Sequence, residues 1–115
     1  MQDNLQEFDL RIEQLKERIA LSDALTRLEK NRDFKKVFLE HLFEKEAVRL
    51  VSLVEDYTLK PEMREQVIKD IKHLSALKQT LIMIHNIADQ ARAYLAETES
   101  AREEFLQEQA QGEEV

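Results

Sequence analysis

The sequence predicts an all-α protein: an elongated helical bundle or helical hairpin with a long, amphipathic, coiled-coil-like C-terminal helix. Three observations carry this. One Gly and one Pro in 115 residues leave little from which to build the tight turns of a β-rich fold. Ala, Leu, Glu, Gln, Lys and Arg dominate, and these are strong helix formers. Apolar residues recur at spacings of three and four, the period of a helix face. A hydrophobic content of 43% argues against simple disorder. With only five Phe, two Tyr and no Trp, any core is built mainly from Leu, Ile and Val. Long helices of this kind bury limited area alone, so protein partners and a homo-oligomer are expected.

The first helix is placed at 3–21. Leu5, Phe8, Ile12, Leu15 and Ile19 are spaced three, four, three, four, the a/d seam of a coiled coil. Leu21, Leu25 and Leu28 then fall on nearly the opposite side of a continuous helix turning about 100° per residue. A break is therefore predicted at Ser22-Asp23, with Ser22 as an N-cap, and a second helix over 23–31. Asn31-Arg32-Asp33 is the next punctuation, Asn31 as a left-handed C-cap and Asp33 as the cap that follows.

A central helix is placed at 34–56. Phe34, Val37, Phe38, Leu42, Val48 and Val51 lie at helical spacings, and Leu39, Phe43, Leu50, Leu53 and Val54 fill much of the remaining circumference. A helix so apolar all round needs cover on more than one side. After a connection from Asp56, Pro61 opens a long helix at 61–95, with Glu62 and Glu65 favouring its start. Val67, Ile71 and Leu74 begin its stripe; Leu77, Leu81, Ile84, Ala88, Ala91 and Leu95 continue it after one slip of the repeat. Beyond Leu95 the seam positions become Thr98 and Arg102. The domain is accordingly drawn as 1–95, and 96–115 as an acidic, solvated helical extension and tail whose last residues, QGEEV, fray.

The net charge is −7, unevenly placed. From Ala96 to Val115 there are seven acids and one base, net −6, which leaves −1 for residues 1–95. A nucleic-acid binder would show a basic face over most of its length, so nucleic acid is an unlikely partner on this pattern. The longest purely apolar run is four residues, Leu81–Ile84, against the roughly 20 needed to span a bilayer, and no membrane association is expected. Met1-Gln-Asp-Asn gives no basic start and apolar core, so no secretory leader is expected.

Chemistry is sparse. There is no Cys, which removes thiol nucleophiles and Cys-ligated zinc. His41, His73 and His85 form no i, i+4 pair; Asp70-x-x-His73 and Glu40-His41-x-x-Glu44 lack the second matching motif of a carboxylate-bridged di-metal bundle. Ser52 and Ser75 have no neighbouring His/Asp pattern to activate them. The only Gly, Gly112, cannot form a phosphate-cradling loop. No catalytic residue, metal or cofactor is expected. Met63, Met83, Phe34, Phe38 and Phe43 read as core filling. One cluster stands out: Lys30, Arg32, Lys35 and Lys36 put four cations within seven residues. They complement a helix C-terminus, or they form a positive corner that docks an acidic partner or a nucleic-acid backbone.

The run LTRLEKNRDFKKVFLEHLFEKEAVRLVSLV resembles a family of small helical proteins encoded in the structural-gene (portal and capsid) cluster of tailed bacteriophages. Leu28, Asn31, Asp33-Phe34-Lys35-Lys36, Phe43, Glu46-Ala47, Arg49-Leu50-Val51 and Asp56 carry the resemblance, followed by Ile71, Leu77, Leu81 and Ala88 of the long helix. It extends over residues 24–95. Those proteins tend to have Gly-Tyr-Phe where this chain has His41-Leu42-Phe43. The resemblance implies a non-enzymatic virion structural or assembly protein that binds head, portal or neck components. It would be located in the virion, and in the host cytoplasm during assembly. Phage capsid or portal proteins and further copies of the chain are the expected partners. Alternatives are a transient scaffolding or chaperone-like protein, and a regulator that binds host protein or DNA through the Lys30–Lys36 corner. The residues expected to meet partners are Lys30, Arg32, Lys35, Lys36, Phe43, Leu50, Leu77, Leu81 and Ile84.

Overall fold

The computed structural model describes residues 2–113. They form α1 (Gln2–Glu29), the single turn α2 (Arg32–Phe34), a π-helical segment (Lys35–Glu46), α3 (Ala47–Glu55) and α4 (Pro61–Glu113). No strand occurs among the described residues, so the protein is all-α and its last helix is its longest. The chain divides into two compact units, Met1–Asp23 with Ile84–Val115, and Ala24–Met83.

In the first unit the N-terminal part of α1 and the C-terminal part of α4 run antiparallel. Phe8 meets Phe105 with ring centroids 5.8 Å apart, Arg102 donates to Asp9 at 2.8 Å, and Ser22 pairs with His85, so rising numbers in α1 face falling numbers in α4. Leu15 is buried, with Leu5, Phe8, Ile12 and Ile19 half-buried on the same face. Opposing residues on α4 are small: Ala88 is 0% and Ala91 1% exposed, and small side chains at a helix contact let the two axes approach closely.

Three sequence expectations are corrected here. α1 is unbroken through Ser22; that residue is not an N-cap but a buried seam position, 3% exposed. The stretch after Leu95 is helical to Glu113, and it is not simply solvated. Thr98 is buried, and Arg102 and Phe105 are half-buried. The a/d spacing of three and four therefore continues from Ala91 through Leu95, Thr98 and Arg102 to Phe105. Of the expected fraying end, Glu114 and Val115 lie outside the described residues.

In the second unit, Asn31 is an N-cap rather than a C-cap. Its backbone is extended (φ −67°, ψ 133°), and its Oδ1 accepts from the backbone N–H of Asp33 at 3.0 Å and of Phe34 at 3.1 Å. Asp33, expected to cap, sits in the first turn instead. Asn31→Ala should lower the stability of this unit by about 1 kcal/mol, measured by urea denaturation, and Asn31→Ser should recover most of it.

The expected central helix is not uniformly α. Over Lys35–Glu46 it is π-helical, a wider coil closed by i→i+5 hydrogen bonds and rare at this length. The aromatics report the change of pitch. Phe34 and Phe38 stack at 4.7 Å, and Phe38 meets Phe43, five residues on, edge-to-face at 6.4 Å. On an α-helix, residues five apart point about 140° away from each other. In a π coil they are neighbours.

At the end of α3, Asp56 forms an Asx-type turn. Its Oδ1 accepts from the Thr58 N–H at 2.9 Å and from the Thr58 hydroxyl at 2.6 Å, which holds the Asp56 carboxyl below its ordinary value. Arg64 donates to the Asp56 carbonyl at 2.8 Å, tying the turn to the first turns of α4. That helix opens at Pro61, as the sequence predicts, because Pro has no N–H to lose at a position where none is paired.

Candidate functional site

The cation corner is built by the Asn31 cap. The cap ends α1 and turns the chain into the next helical segment, so that Lys30, Arg32, Lys35 and Lys36 lie close along the chain on either side of one short turn. All four are exposed. Among the described residues none of them joins an ion pair, whereas Arg49, Arg92 and Arg102 each do. Asp33 is the one acid inside the cluster, leaving it net +3 over residues 30–36.

The apolar candidates separate. Leu50 is 3% exposed; it belongs to the core of its unit with Leu25 and Val67, and is withdrawn as a partner-binding residue. Phe43 is half-buried and lines a cleft of about 170 Å³ with Ala47, Val51, Ile71, Leu74 and Lys78. That is smaller than the roughly 300–1,000 Å³ of small-molecule pockets and suits one inserted apolar side chain. Leu77 is 38% exposed, while Leu81 and, in the other unit, Ile84 are half-buried. The expected cover around the central helix is incomplete within the chain: Val37, Val48 and Val51 remain 49%, 67% and 47% exposed.

Beside the cleft, Glu46 accepts both a side-chain hydrogen bond and an ion pair from Arg49. The hydrogen bond from Arg49 holds the Glu46 carboxyl below its ordinary range, and the same contact raises Arg49. Arg49 is exposed and Glu46 half-buried, and the two form a local helix pair one turn apart.

The structure adds a polar pair absent from the sequence reading. Ser22 Oγ and His85 Nδ1 lie 2.7 Å apart across 63 residues of sequence. A Ser–His hydrogen bond is also the geometry of an activated nucleophile. Here, however, the Ser22 side chain is buried in the helix seam, and neither residue lines the cleft beside Phe43 or the grooves along α1. The pair instead acts as a polar register pin, the role a buried polar residue takes in a coiled-coil seam. Ser22→Ala should lower stability by about 1–3 kcal/mol, and the cost should largely disappear in a His85→Leu background when both are compared by urea denaturation.

The larger spaces of the first unit are grooves along α1. One, of about 430 Å³, is lined by Asn4, Glu7, Phe8, Leu10, Arg11, Gln14 and Phe105, a mixed set without convergent titratable groups. Among the described residues no group of three or more His, Asp or Glu is placed to hold a metal ion. No helix among them is long and apolar enough to cross a membrane. Compared with known protein families, curated proteins and solved structures, the chain matches none.

Proposed function

We propose that this protein is a bacteriophage virion structural or assembly component that works through helical surfaces and without catalysis, in several copies, against head, portal or neck proteins. The observation that carries the surface-acting part is apolar side chain left uncovered on ordered helices. Val48 is 67%, Met83 56%, Leu10 56% and Leu21 56% exposed, and they stand on the same helices that bury Leu15, Leu25, Leu50 and Val67. Apolar side chains exposed on helices whose other face is buried are available to a protein partner, which would gain by covering them. The phage setting rests on the resemblance carried by Asn31, Asp33-Phe34-Lys35-Lys36 and Arg49-Leu50-Val51.

A transient scaffold is the second reading, favoured by the acidic balance of 24 acids against 17 bases: such a protein coats an assembling shell and then leaves. Mass spectrometry of purified mature particles separates the two. The virion reading expects the chain in fixed proportion to the portal protein. Its absence from mature particles, with presence in immature ones, would replace that reading by the scaffold.

A further inference from the structure

The two units carry opposite charge. Ala24–Met83 has twelve bases and ten acids, net +2, and the unit made of residues 1–23 and 84–115 has five bases and fourteen acids, net −9. Within the positive unit the excess is concentrated at Lys30, Arg32, Lys35 and Lys36, exposed and outside any described ion pair. Within the negative unit it is concentrated on α4 at Glu97, Glu99, Glu103, Glu104 and Glu108, all exposed. The one base in that stretch, Arg102, is turned away from them onto Asp9 of α1 at 2.8 Å.

We propose that the Lys30–Lys36 corner is a docking site for a second copy of this chain, and that its occupant is the face of α4 that carries Glu97, Glu104 and Glu108, which lie within about 40° of one another around the helix. This rests on the surface-acting reading above and names the partner of that corner. Three things select this occupant. The first is complementarity of sign: the chain supplies both a positive patch and a negative face that its own ion pairs leave unsatisfied. The second is length. From Glu97 to Glu108 an α-helix rises about 16 Å, enough for the three co-facial carboxylates of Glu97, Glu104 and Glu108 to meet the cation corner at once. The third is rigidity: Thr98 is buried and Phe105 packs on Phe8, so the acidic face is held on an anchored helix rather than on a loose tail. Such a contact gives register and speed of encounter more than raw affinity, and it is screened once the Debye length falls below the spacing of the charges. Exposed apolar neighbours such as Val37, 49% exposed, would add area at the corner.

The test is a charge swap read by sedimentation velocity. One variant carries Lys30→Glu, Arg32→Glu, Lys35→Glu and Lys36→Glu; the other carries Glu97→Lys, Glu104→Lys and Glu108→Lys. Each alone should self-associate at least about ten-fold more weakly than the native chain, and their equimolar mixture should recover a complex. Recovery also certifies that both variants are folded. Native-like association of either variant alone, or a mixture that stays monomeric, overturns the proposal. If the corner variant keeps native association but loses binding to a duplex DNA oligonucleotide, the corner belongs to nucleic acid instead. Absence of the chain from phage particles would remove the virion reading while leaving the charge-swap result standing, so the two ideas fail separately.

Discussion

Leu50→Ala should lower the free energy of unfolding by about 2–5 kcal/mol, the range for deleting a buried leucine side chain when the site cannot fully collapse. Leu50 is 3% exposed, yet two positions away on the same nine-residue helix Val48 is 67% exposed. Truncating Val48 to Ala should therefore change the stability of the isolated chain by less than about 0.5 kcal/mol. Urea titrations of both variants, compared at constant m-value, check the contrast. The pair also separates two meanings of an apolar residue in this helix. Leu50 holds its unit together, whereas Val48 is free for a partner and should matter once one is bound.

Leu15→Ala is the counterpart in the other unit, with an expected loss of about 2–3 kcal/mol, the lower part of the buried-leucine range. Leu15 is 4% exposed at the centre of the α1 seam. It also borders a groove of about 450 Å³ lined by Arg11, Gln14, Arg18, Tyr94, Glu97 and Thr98. The long side chains at that edge can settle into the vacated volume, which moderates the cavity cost. Amide exchange should localise the damage: protection should fall across residues 8–22 and 85–105, where α1 and α4 face each other. A loss of protection confined to the turn around Asp56 would contradict the assigned packing.

Much of this fold was legible in the sequence because its determinants are local. Pro61 starts α4 for a reason visible in its own ring, and the spacing of Leu5, Phe8, Ile12, Leu15 and Ile19 names the face that is buried. The errors share one cause. A seam read only from apolar positions breaks at Ser22 and ends at Thr98 and Arg102. Ser22 is tolerated in the seam because His85 meets its hydroxyl from 63 residues away, and Arg102 because Asp9 meets its guanidinium. Neither partner is deducible without the antiparallel pairing. Phe105, three positions after Arg102, was the available signal that the seam continues. The π-helical stretch was hidden for a related reason: a reading that assumes 3.6 residues per turn sorts Phe38 and Phe43 onto different faces, while the wider coil brings them together. Asn31 marks the junction in the sequence but not its side, since Asn serves both as N-cap and as left-handed C-cap.

The cation corner was legible as composition, and its meaning was not. Lys30, Arg32, Lys35 and Lys36 are visible in any charge scan. That they stay outside described ion pairs, while Arg102 is drawn to Asp9 of α1 and leaves the exposed glutamates around it uncompensated, depends on the pairing of helices far apart in sequence. Leu50 shows the converse. Its place in an apolar run made it a candidate contact, and only its burial assigns it to the core.

On the proposed reading, the apolar and charged surface that the chain leaves exposed is covered by another protein, beginning with further copies of the chain. Sedimentation velocity of the native protein over a wide concentration range, at low and at high salt, addresses that most directly. The mass should rise with concentration and fall back as salt is raised. A single species at the chain mass of 13.6 kDa under every condition would contradict it.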